Sequence, residues 1–335
     1  MTDVHKLADY ISMQAPAAWE NCFEAAMERY DPNWLKSLDF MEILEFYGFT
    51  EDFYFETIKK HLPVICEDEM LDRICWLMHY ILFYGDAASK KAVYNWGSGD
   101  TPFQNHGSDV MCVVALLAAQ PLHAENMRKR GYDDEQIAFH KRGVRNTWLG
   151  EHEDYGTDGI SFRLLAWGVH YINCALVRLG RLMYQNAPGK YPDYEQELGE
   201  DVFIIDLHIP SADNGLQDAE VEASIQLAKE RLGRYFPEAV GKTIAVAVST
   251  WLLSPQLKQI LKPDSNIVKF QNRFNITKFY EGTQSFLVNA FHITAPVNTV
   301  DLDALPEDTG LRREVKKILQ CGGALQNGKG YFICK

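Results

Sequence analysis

The run from Val202 to Ile276 constrains the fold of this chain more than any other segment. VFIIDLHIP reads as a strand, SADNG as a turn and LQDAEVEASIQLAKERLGRYF as an amphipathic helix. TIAVAVST then reads as a second strand, LSPQLKQIL as a short helix and IVKFQNRFNI as a third strand. Strands and helices in short-linked alternation build layered α/β ligand sites, and the turn before the first helix is where an anionic group would sit.

Length and composition bound the rest. A chain of 335 residues exceeds the size at which single cores usually stop growing, so two domains are expected. Hydrophobic residues at 47% and charged residues at 24% describe an ordinary globular protein. A formal charge of −13 argues against nucleic acid, which needs a basic face, and leaves amines and other cations as suitable ligands. The 7 cysteines follow no C-x-x-C spacing, which favours reduced thiols over a disulfide framework or a zinc site. MTDVHKLADY lacks a basic segment followed by an apolar run, and the longest apolar stretch, Val110 to Ala119, falls well short of the ~18 residues of a membrane span. A cytoplasmic protein with no membrane partner is the expectation.

Residues 1 to about 150 read as helical almost throughout, with apolar residues at three- and four-residue spacing and stop signals at Asp31-Pro32, Gly48, Leu62-Pro63 and Gly85. Gly97 to Pro102 is a loop, and GEHEDYGTDG is an acidic, solvated connector that sets a domain boundary near residue 155. Beyond it, FRLLAWGVHYINC starts a helix, VRLGRLMY alternates as a strand, and APGKYPDYEQELGED is a polar turn region. SFLVNAFHI reads as a strand, LPEDTGLRREVKKILQCGG as a helix stopped by its glycines, and GKGYFIC as a last strand. The whole is an α+β chain: a helical domain at 1–155 and a mixed α/β domain at 156–335.

The segments FRLLAWGVHYINCALVRLGRLMYQ, HIP and STWLLSPQLKQILKPDSNIVKFQNRF resemble the GNAT-like C-terminal domain of two-domain bacterial acyltransferases that carry a separate helical N-terminal domain. The resemblance implies a mixed sheet splayed at its centre around a pantetheine arm. It also implies acyl transfer from acetyl-CoA or another acyl-CoA as co-substrate to a small-molecule acceptor. In such a site a backbone amide of the strand before the long helix, here near Ile209, faces the thioester carbonyl. The loop and helix start, here Ser211, Asn214 and Gly215, would hold the pyrophosphate, and Asn214 with Gln217 has the spacing of a capping box. The sequence departs from that pattern, because SADNGLQ offers one glycine, no arginine and Asp213 at its middle. A carboxylate there competes for the positive field of the helix end.

Strand alternation puts Asp206 and His208 on one face, so Asp206 can orient the ring and His208 can deprotonate an amine. A histidine bonded to nearby loop backbone fits the same pattern. Ser249 and Trp251 end the next strand. The serine suits a hydrogen bond to a leaving thiolate or substrate, or simply a helix cap, and the tryptophan suits a pocket wall. Tyr280 is a candidate general acid in a segment the patterning leaves unassigned. Lys269 and Arg273 share one face of the strand at 267–276, where they would contact phosphates or belong to a solvated outer face. The acidic residues Glu151, Glu153, Asp154 and Asp158 with His152 read as solvated rather than metal-binding, His79 and His170 as core histidines, and Cys321 as structural. H-E-x-x-H, G-x-S-x-G and Walker-type loops are all missing from the sequence. Three functions fit: a CoA-dependent acyltransferase acting on a small amine, a catalytically silent GNAT-like module for ligand or protein binding, or another transferase or hydrolase using the same cleft.

Overall fold

A computed structural model describes residues 3–10, 17–96, 108–156, 158–160, 162–210 and 215–334. The expected loop at Gly97 to Pro102 lies outside these residues, as do Ser211 and Asn214. The chain divides into two compact units, residues 1–175 and 176–335.

The first unit is helical: α1 (Asp3–Tyr10), α2 (Glu20–Glu28), α3 (Phe40–Tyr47), α4 (Asp52–Glu67), α5 (Glu69–Tyr84), α6 (Ala87–Trp96), α7 (Ser108–Leu117), α8 (Gln120–Arg130), α9 (Asp134–Tyr155) and α10 (Phe162–Ile172). The apolar run from Val110 to Ala119 is buried throughout, in one core with Ile74, Leu77, Met78 and Ile81 of α5. Asp39, Asp68 and Asp133 cap α3, α5 and α9 by accepting backbone N–H bonds. Among the described residues no single helix is long and apolar enough to cross a membrane.

Two expectations fail here for identifiable reasons. Helix α4 runs through Pro63 instead of stopping before it. Pro63 lies on the exposed side, so the carbonyl deprived of a donor faces water. The acidic stretch Gly150–Tyr155 is the end of α9, closed by Gly156 at φ 65°, and Glu151 is buried rather than solvated. The first compact unit includes α10.

The second unit is a six-stranded sheet with flanking helices. In chain order it comprises β1 (Leu176–Leu179), β2 (Leu182–Asn186), α11 (Pro192–Leu198), β3 (Val202–His208), α12 (Asp218–Tyr235), β4 (Thr243–Thr250), α13 (Pro255–Ile260), α14 (Asn266–Gln271), β5 (Asn275–Glu281), α15 (Thr283–Phe291), α16 (Gly310–Gln320) and β6 (Gln326–Cys334). The strand order is β1-β2-β3-β4-β6-β5, and only β3 and β4 run parallel. Ile205, Leu207, Ala245, Val246 and Ala247 form its centre, each almost fully buried.

The sequence patterning misassigns four segments of this unit. VRLGRLMY is a hairpin, not one strand, because Gly180 takes φ 68° and reverses the chain between Leu179 and Leu182. The polar region after β2 contains α11. SFLVNAFHI belongs to α15, whose buried Phe286, Leu287, Ala290 and Phe291 recur at helical spacing. The expected strand at 267–276 is the helix α14, capped by Ser265, followed by a turn and then β5. Lys269 and Arg273 therefore do not share a strand face.

His79 on α5 behaves as a core histidine, its Nδ1 bonded at 2.8 Å to the Ala115 carbonyl. Burial drives its imidazole down to about 4, against the opposing effect of that bond. In the unfolded chain such a ring protonates near 6.5. The folded state thus binds fewer protons between pH 6.5 and about 4, so stability is full above that window and falls as pH drops through it, by up to about 3 kcal/mol. A His79→Gln variant should show a flatter dependence of denaturant midpoint on pH across the same window. An unchanged slope would contradict this assignment.

Candidate functional site

The site forms where two central strands part. Strands β3 and β4 pair from Val202–Thr243 to Asp206–Ala247, and the pairing ends there. Each strand continues, held by its outer neighbour: His208 stays opposite Met183 of β2, while Ser249 and Thr250 stay opposite Lys329 and Gly328 of β6. The gap is a cleft of about 320 Å³. His208, Ile209, Ser249, Trp251 and Tyr280 all line it, joined by Ser285, Asn289 and Asn327.

One wall is built around a buried carboxylate. Asp206 is 2% exposed and gathers three partners: Tyr191 Oη donates to its Oδ1 at 2.5 Å, Lys190 Nζ to its Oδ2 at 2.5 Å, and His208 Nε2 lies 3.1 Å from the same Oδ2. Burial would raise this carboxyl, but the hydrogen bond from His208 and the charge and bond of Lys190 prevail and hold it below the usual carboxylate range. Burial first, and the Asp206 charge second, push the Tyr191 phenol far up, so it remains a proton donor. Gln185 of β2, paired opposite Asp206, offers its amide oxygen to His208 Nε2 at 2.7 Å. Both neighbours of that nitrogen are acceptors, so it carries a proton.

The facing wall joins β4 to β5. Ser249 Oγ and Tyr280 Oη lie 2.5 Å apart, and Tyr280 is 37% exposed. The capping role falls to Thr250, whose Oγ1 accepts from Leu252 N–H, so the Ser249 hydroxyl is directed to the tyrosine instead. Trp251 stacks edge-on against Phe286, with ring centroids 5.1 Å apart. Asn327 donates through Nδ2 to Ser285 Oγ, while its buried Oδ1 has no hydrogen-bond partner. A buried acceptor left unpaired beside a cleft is unfavourable unless a ligand donor meets it.

At the start of α12, Gly215 takes φ 69°, a conformation suited to glycine, and its carbonyl accepts from Arg181 Nε at 3.1 Å. Helix α12 begins at Asp218 with Gln217 at its cap position and no side-chain cap, so the expected Asn214–Gln217 box does not mark its first residue. Arg273 pairs with Asp218 at 2.8 Å and with Glu222 at 3.2 Å, and Lys269 Nζ lies 4.0 Å from Asp218. Both cations thus stand beside the first turns of α12, although by way of α14 rather than a strand. Four polar residues that the sequence reading missed, Gln185, Lys190, Tyr191 and Asn327, carry no spacing signal. Gln185 and Asn327 meet the site through strand order and register, Lys190 and Tyr191 through the turn that leads from β2 into α11.

Residues 176–332, nearly all of the second unit, match the family described as GNAT-like C-terminal domain. No curated protein matches the chain in sequence. Among solved structures, an acyltransferase in complex with CoA and 10C-teicoplanin is 23% identical, with a TM-score of 0.67 over 88% of this chain and 87% of its own. An acyltransferase in complex with decanoyl-CoA and teicoplanin is 24% identical, with a TM-score of 0.65 over the same shares. An acyltransferase variant in complex with octanoyl-CoA is 23% identical, with a TM-score of 0.67 over 88% and 87%. At these identities the similarity is one of fold.

The charge arrangement at Asp206 makes a direct prediction. Asp206→Ala would strip three donors of a buried acceptor and should lower unfolding stability by about 3 kcal/mol. Lys190 is 45% exposed at its side chain, so Lys190→Ala should cost under about 1 kcal/mol. Denaturant titration of both variants checks this, and equal losses would contradict it.

Proposed function

We propose that this chain transfers an acyl group from a coenzyme A thioester to a small amine by direct attack within one ternary complex. The observation that carries the reading is the meeting of His208, from β3, and the Ser249–Tyr280 pair, from β4 and β5, on one cleft where the β3–β4 ladder ends. The acyl-CoA complexes of the fold neighbours support the choice of donor, and the teicoplanin complexes support an acceptor that is a small molecule. An amine is the finer choice, suited to a chain of formal charge −13.

The thioester carbonyl enters between the strands, where a backbone N–H near Ile209 stabilises the oxyanion. Asp206 and Gln185 fix the protonated nitrogen of the His208 ring, so its other nitrogen accepts the proton of the attacking amine. The amine nitrogen bonds to the carbonyl carbon and the carbon–sulfur bond breaks. Tyr280 then gives its phenol proton to the departing thiolate, with Ser249 as its hydrogen-bond neighbour. The phenolate recovers a proton from solvent, and the imidazolium releases one. Lys269 and Arg273, beside the α12 start, exchange their carboxylate partners Asp218 and Glu222 for the pyrophosphate, for which SADNG offers no cation. Gly215 stands with them at the start of α12, and Ser211 and Asn214 are proposed as further pyrophosphate contacts. Trp251 walls the acyl or acceptor side.

Calorimetry with CoA combined with turnover of octanoyl-CoA and a panel of small amines tests the reading. His208→Ala should bind CoA as the unsubstituted protein does and lose about 10²- to 10⁴-fold in kcat. Lys269→Ala with Arg273→Ala should weaken CoA binding and leave kcat near its original value. Full turnover by His208→Ala would remove this residue as the base, and failure of CoA to bind at millimolar concentration would overturn the acyltransferase reading.

A further inference from the structure

Within the helical unit, three side chains from separate segments converge in a place that the cleft chemistry does not use. His123 lies on α8, His140 on α9, and Cys174 just beyond the end of α10. All three are fully buried, and their ligand atoms lie within 4.8 Å of one another. Cys174 takes φ 51°, one of two positive values among the described non-glycine residues. A residue with a Cβ adopts that conformation at some cost, and here it turns the thiol toward the two rings.

A hydrogen bond fixes where the lone pair of one ring points. His140 Nδ1 lies 2.8 Å from the Tyr171 carbonyl oxygen, which can only accept, so Nδ1 carries the proton and Nε2 carries the lone pair. His123 Nδ1 is engaged by the Tyr47 hydroxyl at 3.0 Å, and its Nε2 is buried without a hydrogen-bond partner. The Tyr132 hydroxyl bonds the Cys174 carbonyl at 3.2 Å and holds the cysteine backbone in place. The outer nitrogens are thus occupied by a carbonyl and a phenol, as in metal sites whose ligands are oriented from behind. His123 Nε2 is thus an unpaired buried group, which costs stability unless a metal ion meets it.

We propose that His123, His140 and Cys174 form a zinc site in the helical unit. One thiolate and two imidazoles in a buried setting suit Zn²⁺, with water in the fourth position. On binding, the Cys174 thiol releases its proton to solvent and its sulfur bonds the metal, while both imidazoles bind as neutral ligands. The site would fasten the end of α10 to α8 and α9. It involves no residue of the proposed acyl transfer and stands or falls apart from it.

Full-length protein produced with zinc supplied, then dialysed against metal-free buffer, should retain one zinc per chain by mass spectrometry. X-ray absorption at the zinc edge should show one sulfur at about 2.3 Å and two imidazole nitrogens. Cys174→Ser should lower zinc affinity by at least about tenfold. Should that variant fail to fold, the absorption spectrum of the unsubstituted protein decides alone. Protein that retains no zinc even after refolding with the metal, or zinc bound without a sulfur neighbour, would overturn the proposal.

Discussion

A parallel ladder that ends at Asp206 and Ala247 is the constraint on which the second unit depends. Beyond that pair β3 and β4 can separate because neither is left without a partner on its far side. Strand β2 keeps His208 in register and β6 keeps β4 in register as far as Thr250. Backbone hydrogen-bonding groups at the inner edges of two central strands thereby face a cleft instead of each other, which is an unfavourable arrangement without a ligand to meet them. A slot of this kind suits an extended amide-bearing arm, since such an arm supplies donors and acceptors of the same sort.

Electrostatics reinforce the geometry. Asp206 is buried at the last paired position, and its charge is sustained by His208, Lys190 and Tyr191 together. Removing a charge from water inside a sheet is costly, and a buried carboxylate persists only with several donors around it. The result is a ring held in one orientation at the mouth of the gap. Across the cleft Tyr280 is tied to Ser249, so the groups proposed to accept and give protons are both fixed by neighbours on rigid strands.

Much of this was legible in the sequence. The alternation of VFIIDLHIP put Asp206 and His208 on one face, and the structure brings them within 3.1 Å. The helical first unit and the positions of β3, α12 and β4 followed from apolar periodicity. Where patterning failed, the segments had apolar content compatible with either period. SFLVNAFHI reads as a strand until Phe286, Leu287, Ala290 and Phe291 are seen to share one buried helix face. IVKFQNRFNI hid a capped helix and the start of a strand in one alternating run. Gln185 and Asn327 were invisible for a different reason: their roles arise from strand order, which a linear pattern does not carry. The same holds for His123, His140 and Cys174, whose separation along the chain matches no metal-binding spacing.

Hydrogen exchange with and without CoA, followed by mass spectrometry, tests the central claim most directly. If the parted strands receive the pantetheine arm, peptides covering residues 205–210 and 247–251 should gain protection on addition of CoA, while the β5–β6 ladder stays unchanged. Protection confined to other segments, with the ends of β3 and β4 exchanging as before, would contradict the account.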